Sequence, residues 1–152
     1  MAIEVGRPAP DFTLPDQNGN SVALSSLRGQ WVVVYFYPKD DTPGCTAESC
    51  SFRDSFESFS DVGATVVGIS SDSVDSHAAF ATKHQLPFTL LADEQGQVRK
   101  AWGVKKTLGL LPGRVTYVID PEGVVRHTFS SQFKPTSHID EALGVIRAGT
   151  PG

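Results

Sequence analysis

The stretch from Trp31 to Phe59 constrains the fold of this chain more than any other. It begins with seven consecutive apolar, β-branched or aromatic residues, Trp31–Tyr37. A run of this length is too short to span a membrane and is typical of a central strand that is buried on both faces. After a loop broken by proline and glycine, Phe52, Phe56 and Phe59 recur at spacings of four and three residues. This spacing places the three rings on one side of a helix that ends at 61–63.

Cys45 lies where this helix is predicted to begin. The first backbone N–H groups of a helix have no intrahelical acceptor and carry the positive end of the helix dipole, so they favour a thiolate. Thr42 lies three residues earlier, close enough for its hydroxyl to reach the sulfur or a substrate atom. Pro38 stiffens the loop, and Gly44 allows close approach to its backbone. These residues predict a nucleophile, although a lone cysteine is also common as a small buried hydrophobe.

Composition and charge exclude several classes of partner. The chain has 152 residues, 39% of them hydrophobic and 20% charged, as expected for one globular domain over residues 1–152. Its net charge is −4 and it has no basic block, so neither nucleic acid nor an anionic membrane is an expected partner. Two cysteines separated by four residues make a poor structural staple and indicate redox use in a reducing compartment.

The first ten residues set the expected location. They contain neither an apolar secretory segment nor an Arg- and Ser-rich amphipathic stretch. We therefore expect a cytoplasmic protein, and a plastid location only if an upstream transit segment was removed.

The remaining pattern alternates strands and helices. We predict short strands at 12–14 and 21–24 around a turn, a buried strand at 65–70, a helix at 74–85, a strand at 88–91 and a short helix at 98–102. A hairpin of strands at 114–119 and 124–129 and a last helix from 136 or 137 to 147 complete the chain. This order predicts an α/β fold with a mixed central sheet flanked by helices.

Several segments resemble one family. The pattern Pro38-x-x-x-Thr42-x-x-Cys45 resembles the active-site signature of the peroxiredoxins. The sequence from Tyr35 to Cys45 resembles their PrxQ branch, also called bacterioferritin-comigratory protein. The similarity extends from Gly6 to Arg147 and includes the segments 9–19, 67–70, 88–91 and 112–120. The tail, with Gln132-Phe and 138–141, is most similar to members from plants and cyanobacteria. The resemblance implies a thioredoxin-like fold.

The resemblance also implies an activity, that of a thiol peroxidase. The Cys45 thiolate would attack hydrogen peroxide or an organic hydroperoxide and become a sulfenic acid, with which Cys50 would condense to a disulfide. Thioredoxin or a similar dithiol would reduce that disulfide, and no metal or other cofactor is needed. Arg114 aligns with the arginine that the family keeps near its reactive sulfur, where a guanidinium stabilises a thiolate and binds peroxide oxygens. A monomer is expected.

Other residues receive weaker assignments. Without the resemblance, Arg114 would be read as a surface arginine paired with a carboxylate. Glu48 is placed to orient Arg114 or to favour the helix dipole, and Arg53 belongs either to the same charge network or to a solvated helix face. Leu110 and Leu111 lie in an apolar loop that we expect to accept alkyl hydroperoxides. The histidines show no metal-ligand spacing and are expected at the surface: His77, His84, His127 and His138.

The spacing of the two cysteines has a geometric consequence. Five steps along an α-helix separate two Cα atoms by roughly 8–9 Å. A disulfide tolerates about 4.4–6.8 Å, so Cys45 and Cys50 cannot be joined unless the helix unwinds locally. A buried, inert Cys50 is the alternative.

Two other classes of function compete with the peroxidase. A thioredoxin-like disulfide oxidoreductase would normally carry a C-x-x-C motif, which this sequence lacks. A redox sensor without turnover is not separated from an enzyme by the sequence.

Overall fold

The apolar run at Trp31 forms the middle of a five-stranded sheet in the computed structural model, which describes residues 3–104, 114–130 and 137–149. The strands are β1 (Thr13–Pro15), β2 (Ser21–Ala23), β3 (Trp31–Phe36), β4 (Ala64–Ser70), β5 (Thr89–Ala92), β6 (Val115–Ile119) and β7 (Val125–Ser130). The helices are α1 (Pro43–Asp54), α2 (Phe56–Asp61), α3 (Val74–His84), α4 (Gln97–Ala101) and α5 (Ser137–Gly149), with a short 3₁₀ helix at Leu24–Leu27. Within these ranges, none of the helices is long and apolar enough to cross a membrane.

The order of the strands brings distant segments to one edge of the sheet. The order is β5-β4-β3-β6-β7, with β3, β4 and β5 parallel and β6 antiparallel to both β3 and β7. The end of β3 therefore lies beside the start of β6, where Phe36 is paired with Val115. As a result, the loop that follows β3 and the residue that precedes β6, Arg114, meet at the same edge. The predicted mixed sheet flanked by helices is confirmed.

Both faces of β3 are covered, as its unbroken apolar sequence predicted. Val33 and Tyr35 face one cluster of buried side chains, to which α1, α2, α3 and α5 contribute. Val32, Val34 and Phe36 face a second cluster that contains Trp102 and Tyr117. Burying a large apolar side chain of this kind stabilises the fold by about 1.5–3 kcal/mol. The strand that leads into the loop before Cys45 is therefore packed on both of its faces.

The helix predicted to continue to residue 61 is two helices. Ser55 leaves the helical conformation, with φ −100° and ψ 10°, and α2 begins at the next residue. The change of direction lets the rings of Phe52 and Phe59 pack together in the core, with centroids 5.6 Å apart. Phe56 is only partly buried at the edge of that cluster. The prediction of one continuous helix was wrong at Ser55, although all three rings contact the same buried cluster.

Candidate active site

Cys45 is the third residue of α1, and its side chain is fully buried. Thr42 precedes the helix but does not cap it, because its hydroxyl donates to the carbonyl of Lys39 at 2.9 Å. Pro43, the first helical residue, has no N–H at all. The N–H groups of the first turn, at Gly44 and Cys45, therefore keep their positive potential, as the sequence predicted for this position.

Arg114 contacts both Cys45 and Glu48, although it lies 66 residues after Glu48 in the sequence. Its Nη1 donates to Glu48 Oε1 at 2.6 Å, and its Nη2 donates to Cys45 Sγ at 3.3 Å. All three side chains are buried. Gly44 permits this approach, because a Cβ on that residue would lie 3.0 Å from Arg114 Nη2. The expected neighbourhood of Cys45, Arg114, Glu48 and Gly44 is thus present as one buried cluster.

Burial and the neighbouring charges shift the pKa values of Glu48 and Arg114 in this cluster. Burial raises the pKa of Glu48 from its ordinary value of 4.5 to about 8, and the positive charge of Arg114 offsets only part of that effect. Burial lowers the pKa of Arg114, but the negative charges of Glu48 and Cys45 outweigh it and raise the pKa overall. The raised pKa of Glu48 keeps this carboxyl protonated at a higher pH than an ordinary glutamate, which leaves more of the Arg114 charge for the sulfur.

We expect Glu48→Gln to remove a pH dependence of stability. The folded-state pKa of Glu48 is raised from 4.5 to about 8, so the stability it contributes is complete below pH 4.5 and is lost as the pH rises through about 8. Between pH 5 and 8.5, the free energy of unfolding of the unmodified protein should fall relative to that of the variant. The change should be a few kcal/mol at most, since one pKa unit is worth about 1.4 kcal/mol. Urea unfolding at several pH values measures it.

The control for this comparison is Glu57→Gln. Glu57 lies exposed on α2, so its substitution should leave the pH profile of stability unchanged. Parallel profiles for Glu48→Gln and the unmodified protein would contradict the raised pKa.

Tyr35 holds α1 against the sheet. Its hydroxyl is 3.0 Å from Ser49 Oγ, and its ring stacks on Phe52 with centroids 4.5 Å apart. Gly68 on the neighbouring strand leaves room for the ring, because a Cβ there would lie 2.7 Å from Tyr35. The helix that carries Cys45 is therefore fixed through both a polar and an aromatic contact.

Cys50 lies on the same helix and is partly exposed. Both cysteines are free, and α1 is continuous through them. Arg53, one turn further, donates to the carbonyl of His84 at 2.8 Å and pairs with Asp54 at 3.0 Å. It therefore joins α1 to the end of α3 and is not in contact with the cluster around Cys45.

Two of the four histidines are not at the surface, which corrects the prediction. His77 and His138 are fully buried, whereas His84 and His127 are partly exposed. His138 Nδ1 lies 2.5 Å from Thr116 Oγ1 and 3.5 Å from Glu48 Oε2, so this histidine lies behind the cluster around Cys45. His77 packs beneath the loop that precedes α1. The prediction was wrong because each ring is buried by polar partners that are distant in sequence.

One group among the described residues has the spacing of a metal site. Asp40, Asp72 and His77 each offer a ligand atom, and these atoms lie within 4.8 Å of one another. Their atoms are already used in hydrogen bonds within the protein, to Tyr37, Ser70, Ser76 and the Leu91 carbonyl. The arrangement is that of a satisfied buried network.

Arg99 is a second cation near the thiol that the sequence did not suggest. Its Nη2 donates to the carbonyl of Tyr37 at 2.6 Å, directly before Pro38. Burial lowers its pKa, while the negative charges of Asp93 and Cys45 oppose that shift.

Pro38 is half-buried at the start of the loop. Leu110 and Leu111 lie outside the described residues.

Comparisons with known proteins agree with the geometry. The profile of the AhpC/TSA family matches residues 5–128, and the chain belongs to this family. The chain is similar to the protein named Peroxiredoxin Q, chloroplastic, from Sedum lineare, with 57% identity over 147 residues that cover 96% of this chain and 79% of the relative.

Two solved structures share the fold. Peroxidoxin BcpB from Mycobacterium tuberculosis has 42% identity and a TM-score of 0.91, covering 98% of this chain and 99% of its own. The bacterioferritin comigratory protein of Xanthomonas campestris, described with alkyl peroxide reduction activity, has 33% identity and a TM-score of 0.86, covering 95% and 98% of the two chains. The thioredoxin-like fold and the resemblance to the PrxQ branch are confirmed. The chain is a thiol-dependent peroxidase, which acts on peroxides and requires a thiol reductant.

Proposed function

We propose that Cys45 is the nucleophile of this peroxidase. Its thiolate attacks the terminal oxygen of a hydroperoxide, so that an S–O bond forms while the O–O bond breaks. The sulfur is oxidised to a sulfenic acid, and the leaving oxygen takes up a proton to become water or an alcohol. The observation that carries this proposal is the position of Arg114 Nη2, 3.3 Å from Cys45 Sγ at the N-terminus of α1.

The residues around Cys45 have complementary roles in this reaction. Arg114 and the N–H groups of Gly44 and Cys45 donate hydrogen bonds to the peroxide oxygens and stabilise the charge that develops on the leaving one. Thr42 already uses its hydroxyl hydrogen on Lys39, so its oxygen is left to accept the O–H of the peroxide. Pro38 keeps the loop rigid and Glu48 orients Arg114.

Cys50 is the proposed resolving residue. Its thiol condenses with the sulfenic acid of Cys45, which forms a disulfide and releases water. A dithiol then reduces the disulfide, and thioredoxin is the reductant that we propose. Because α1 is continuous through both cysteines, its first turns must unwind before the bond can form.

The proposed substrates are hydrogen peroxide and alkyl hydroperoxides. The alkyl peroxide activity described for the Xanthomonas campestris protein supports the second class. Participation of Leu110 and Leu111 in accepting alkyl groups stays a prediction from the sequence.

One coupled assay tests the proposed function. NADPH consumption with thioredoxin reductase and thioredoxin should depend on this protein, with both hydrogen peroxide and a bulky hydroperoxide as substrates. Consumption with neither peroxide would overturn the assignment of the reductant. If peroxide is consumed with another dithiol but not in the NADPH-coupled thioredoxin assay, that dithiol and not thioredoxin is the reductant.

The assembly and the location are separate proposals. We propose a monomer, which light scattering of the purified protein would test. The expected cytoplasmic location stays a prediction, while the chloroplastic name of the Sedum lineare relative supports a plastid location. Fractionation of the source cells would distinguish them.

A further inference from the structure

Asp40 anchors the loop that precedes Cys45. It lies midway between Pro38 and Thr42, and only 7% of it is exposed. Its backbone N–H donates to Asp72 at 2.8 Å. Its carboxylate is bound by three side chains, one directly after β3 and two on α3: Tyr37 at 2.5 Å, Ser76 at 2.8 Å and His77 at 2.7 Å. This carboxylate is therefore one of the contacts that hold the loop against α3, together with the backbone contact to Asp72.

The partners of His77 determine how many protons its ring carries. Nε2 lies 2.9 Å from the carbonyl oxygen of Leu91, which can only accept a hydrogen bond, so Nε2 carries a hydrogen. Nδ1 lies 2.7 Å from Asp40 Oδ2. A neutral ring would then turn the lone pair of Nδ1 toward a carboxylate oxygen. At 2.7 Å a hydrogen must lie between Nδ1 and Oδ2. Tyr37 and Ser76 already donate to the two Asp40 oxygens, which favours the ionised carboxylate and leaves that hydrogen on Nδ1.

The other charged groups around His77 are few among the described residues. Tyr37 and Asp72 face it together with Asp40, and β5 contributes the Leu91 carbonyl. Arg99 lies close enough for its charge to interact with Asp72, Tyr37 and Cys45. A cationic His77 is thus the direct counter-ion of Asp40.

The charge of Asp40 also acts on Tyr35, whose hydroxyl contacts the helix that carries Cys45. Tyr35 is fully buried, and its pKa is raised well above its ordinary value by burial and then by the negative charges of Glu48, Asp40 and Cys45. The charges of Asp40 and Cys45 therefore both act on the buried hydroxyl of Tyr35. A carboxylate left without its counter-ion in this region would disfavour the thiolate.

We propose that His77 is a positioning residue of the thiol site. As a buried cation it fixes Asp40, and with it the loop before Cys45, and it cancels the negative charge that Asp40 would otherwise present to the thiolate. This inference deepens the proposed function and rests on it, but both of its tests are made without peroxide.

The first test examines the unmodified protein. Proton-coupled ¹⁵N NMR of the imidazole rings at pH 7 should show hydrogens on both nitrogens of His77. A ring with a hydrogen on one nitrogen only would overturn the proposal. This measurement needs no variant and therefore does not depend on whether a substitution folds.

The second test measures the reactivity of the thiol. In a Cys50→Ser background, the rate of alkylation of Cys45 by iodoacetamide is recorded against pH. His77→Asn should move the midpoint of this profile upward by about one pH unit. The double variant Asp40→Asn with His77→Asn should restore the midpoint, because both charges are then absent. Local disorder would not be corrected by a second substitution, so a double variant that remains shifted would contradict the charge argument.

A matched control comes from about two turns further along the same helix. His84 pairs with Asp41 from the same loop at 3.3 Å, but 51% of the Asp41 side chain is exposed. His84→Asn should leave the midpoint unchanged, because solvent screens this pair. An equal shift in His84→Asn, or none in His77→Asn, would overturn the role of the buried pair. Neither result bears on whether Cys45 reduces peroxide, which the NADPH assay decides.

Discussion

Cys45→Ser is expected to reduce peroxide turnover to the background rate. A serine hydroxyl is not ionised by the helix N-terminus and one guanidinium, and it cannot be oxidised to a sulfenic acid. Loss of hydrogen peroxide and NADPH consumption in the thioredoxin-coupled assay measures the effect. The variant should keep the circular dichroism and unfolding midpoint of a folded protein, because serine is nearly isosteric with the cysteine that it replaces. Normal turnover in this variant would remove the proposed mechanism.

The cation beside the sulfur can be tested in the same assay. Arg114→Lys retains the positive charge but cannot reach Cys45 and Glu48 with two donors at once, as the guanidinium does at 3.3 and 2.6 Å. We expect kcat/KM for peroxide to fall by about 10²–10³, the cost of removing one donor from a developing charge. Arg53→Lys on α1 is the control, because Arg53 does not contact the sulfur, and it should stay within a few-fold of the unmodified protein. Equal rates for the two lysine variants would show that a positive charge alone supports turnover, without the two donors of the guanidinium.

Oxidation is expected to unfold the start of α1. A bond between Cys45 and Cys50 requires the intervening turn to lose its helical geometry. Glu48 and Ser49 lie within that turn, so the hydrogen bonds that they make with Arg114 and Tyr35 should both break. Hydrogen exchange should increase across residues 44–54 of the peroxide-treated protein and stay low in β3.

Cys50→Ser separates this transition from the first chemical step. The variant should react once with peroxide, show no increase in exchange across 44–54, and fail to turn over with thioredoxin. In the absence of a resolving thiol, its sulfenic acid is exposed to a second peroxide and should proceed to sulfinic acid, which mass spectrometry detects. A Cys45–Cys50 bond inside an intact helix would refute the geometric argument, and full thioredoxin-linked turnover of Cys50→Ser would exclude the resolving role.

Local patterns in the sequence predicted those features that depend on local forces. The apolar run at Trp31 predicted the central strand, and the loop broken by proline and glycine placed Cys45 at the start of the helix, which begins two residues earlier at Pro43. Arg114 was selected only by resemblance, because nothing near it in sequence indicates a partner 69 residues away. The register of β3 with β6 makes that contact, and register is a property of the whole sheet.

The errors have the same origin. His77 was expected at the surface because its neighbours Ser76 and Ala78 carry no sign of a buried carboxylate 37 residues earlier. The break at Ser55 was missed because the spacing of the phenylalanines fits a single helix, and Phe59 still packs on Phe52 across the break. Both features result from long-range packing that periodicity does not report.

The pairing of β3 with β6 also has a consequence for the growing polypeptide. Strand β3 and α1 leave the ribosome well before Arg114, so a nascent chain contains Cys45 before its counter-ion exists. The thiol gains the guanidinium only when β6 inserts beside β3, which is one of the most non-local pairings in the sheet and closes late. We therefore expect reactivity toward peroxide to arise only once β6 has paired with β3. Until then, an unfinished chain presents an ordinary cysteine to the oxidants around it.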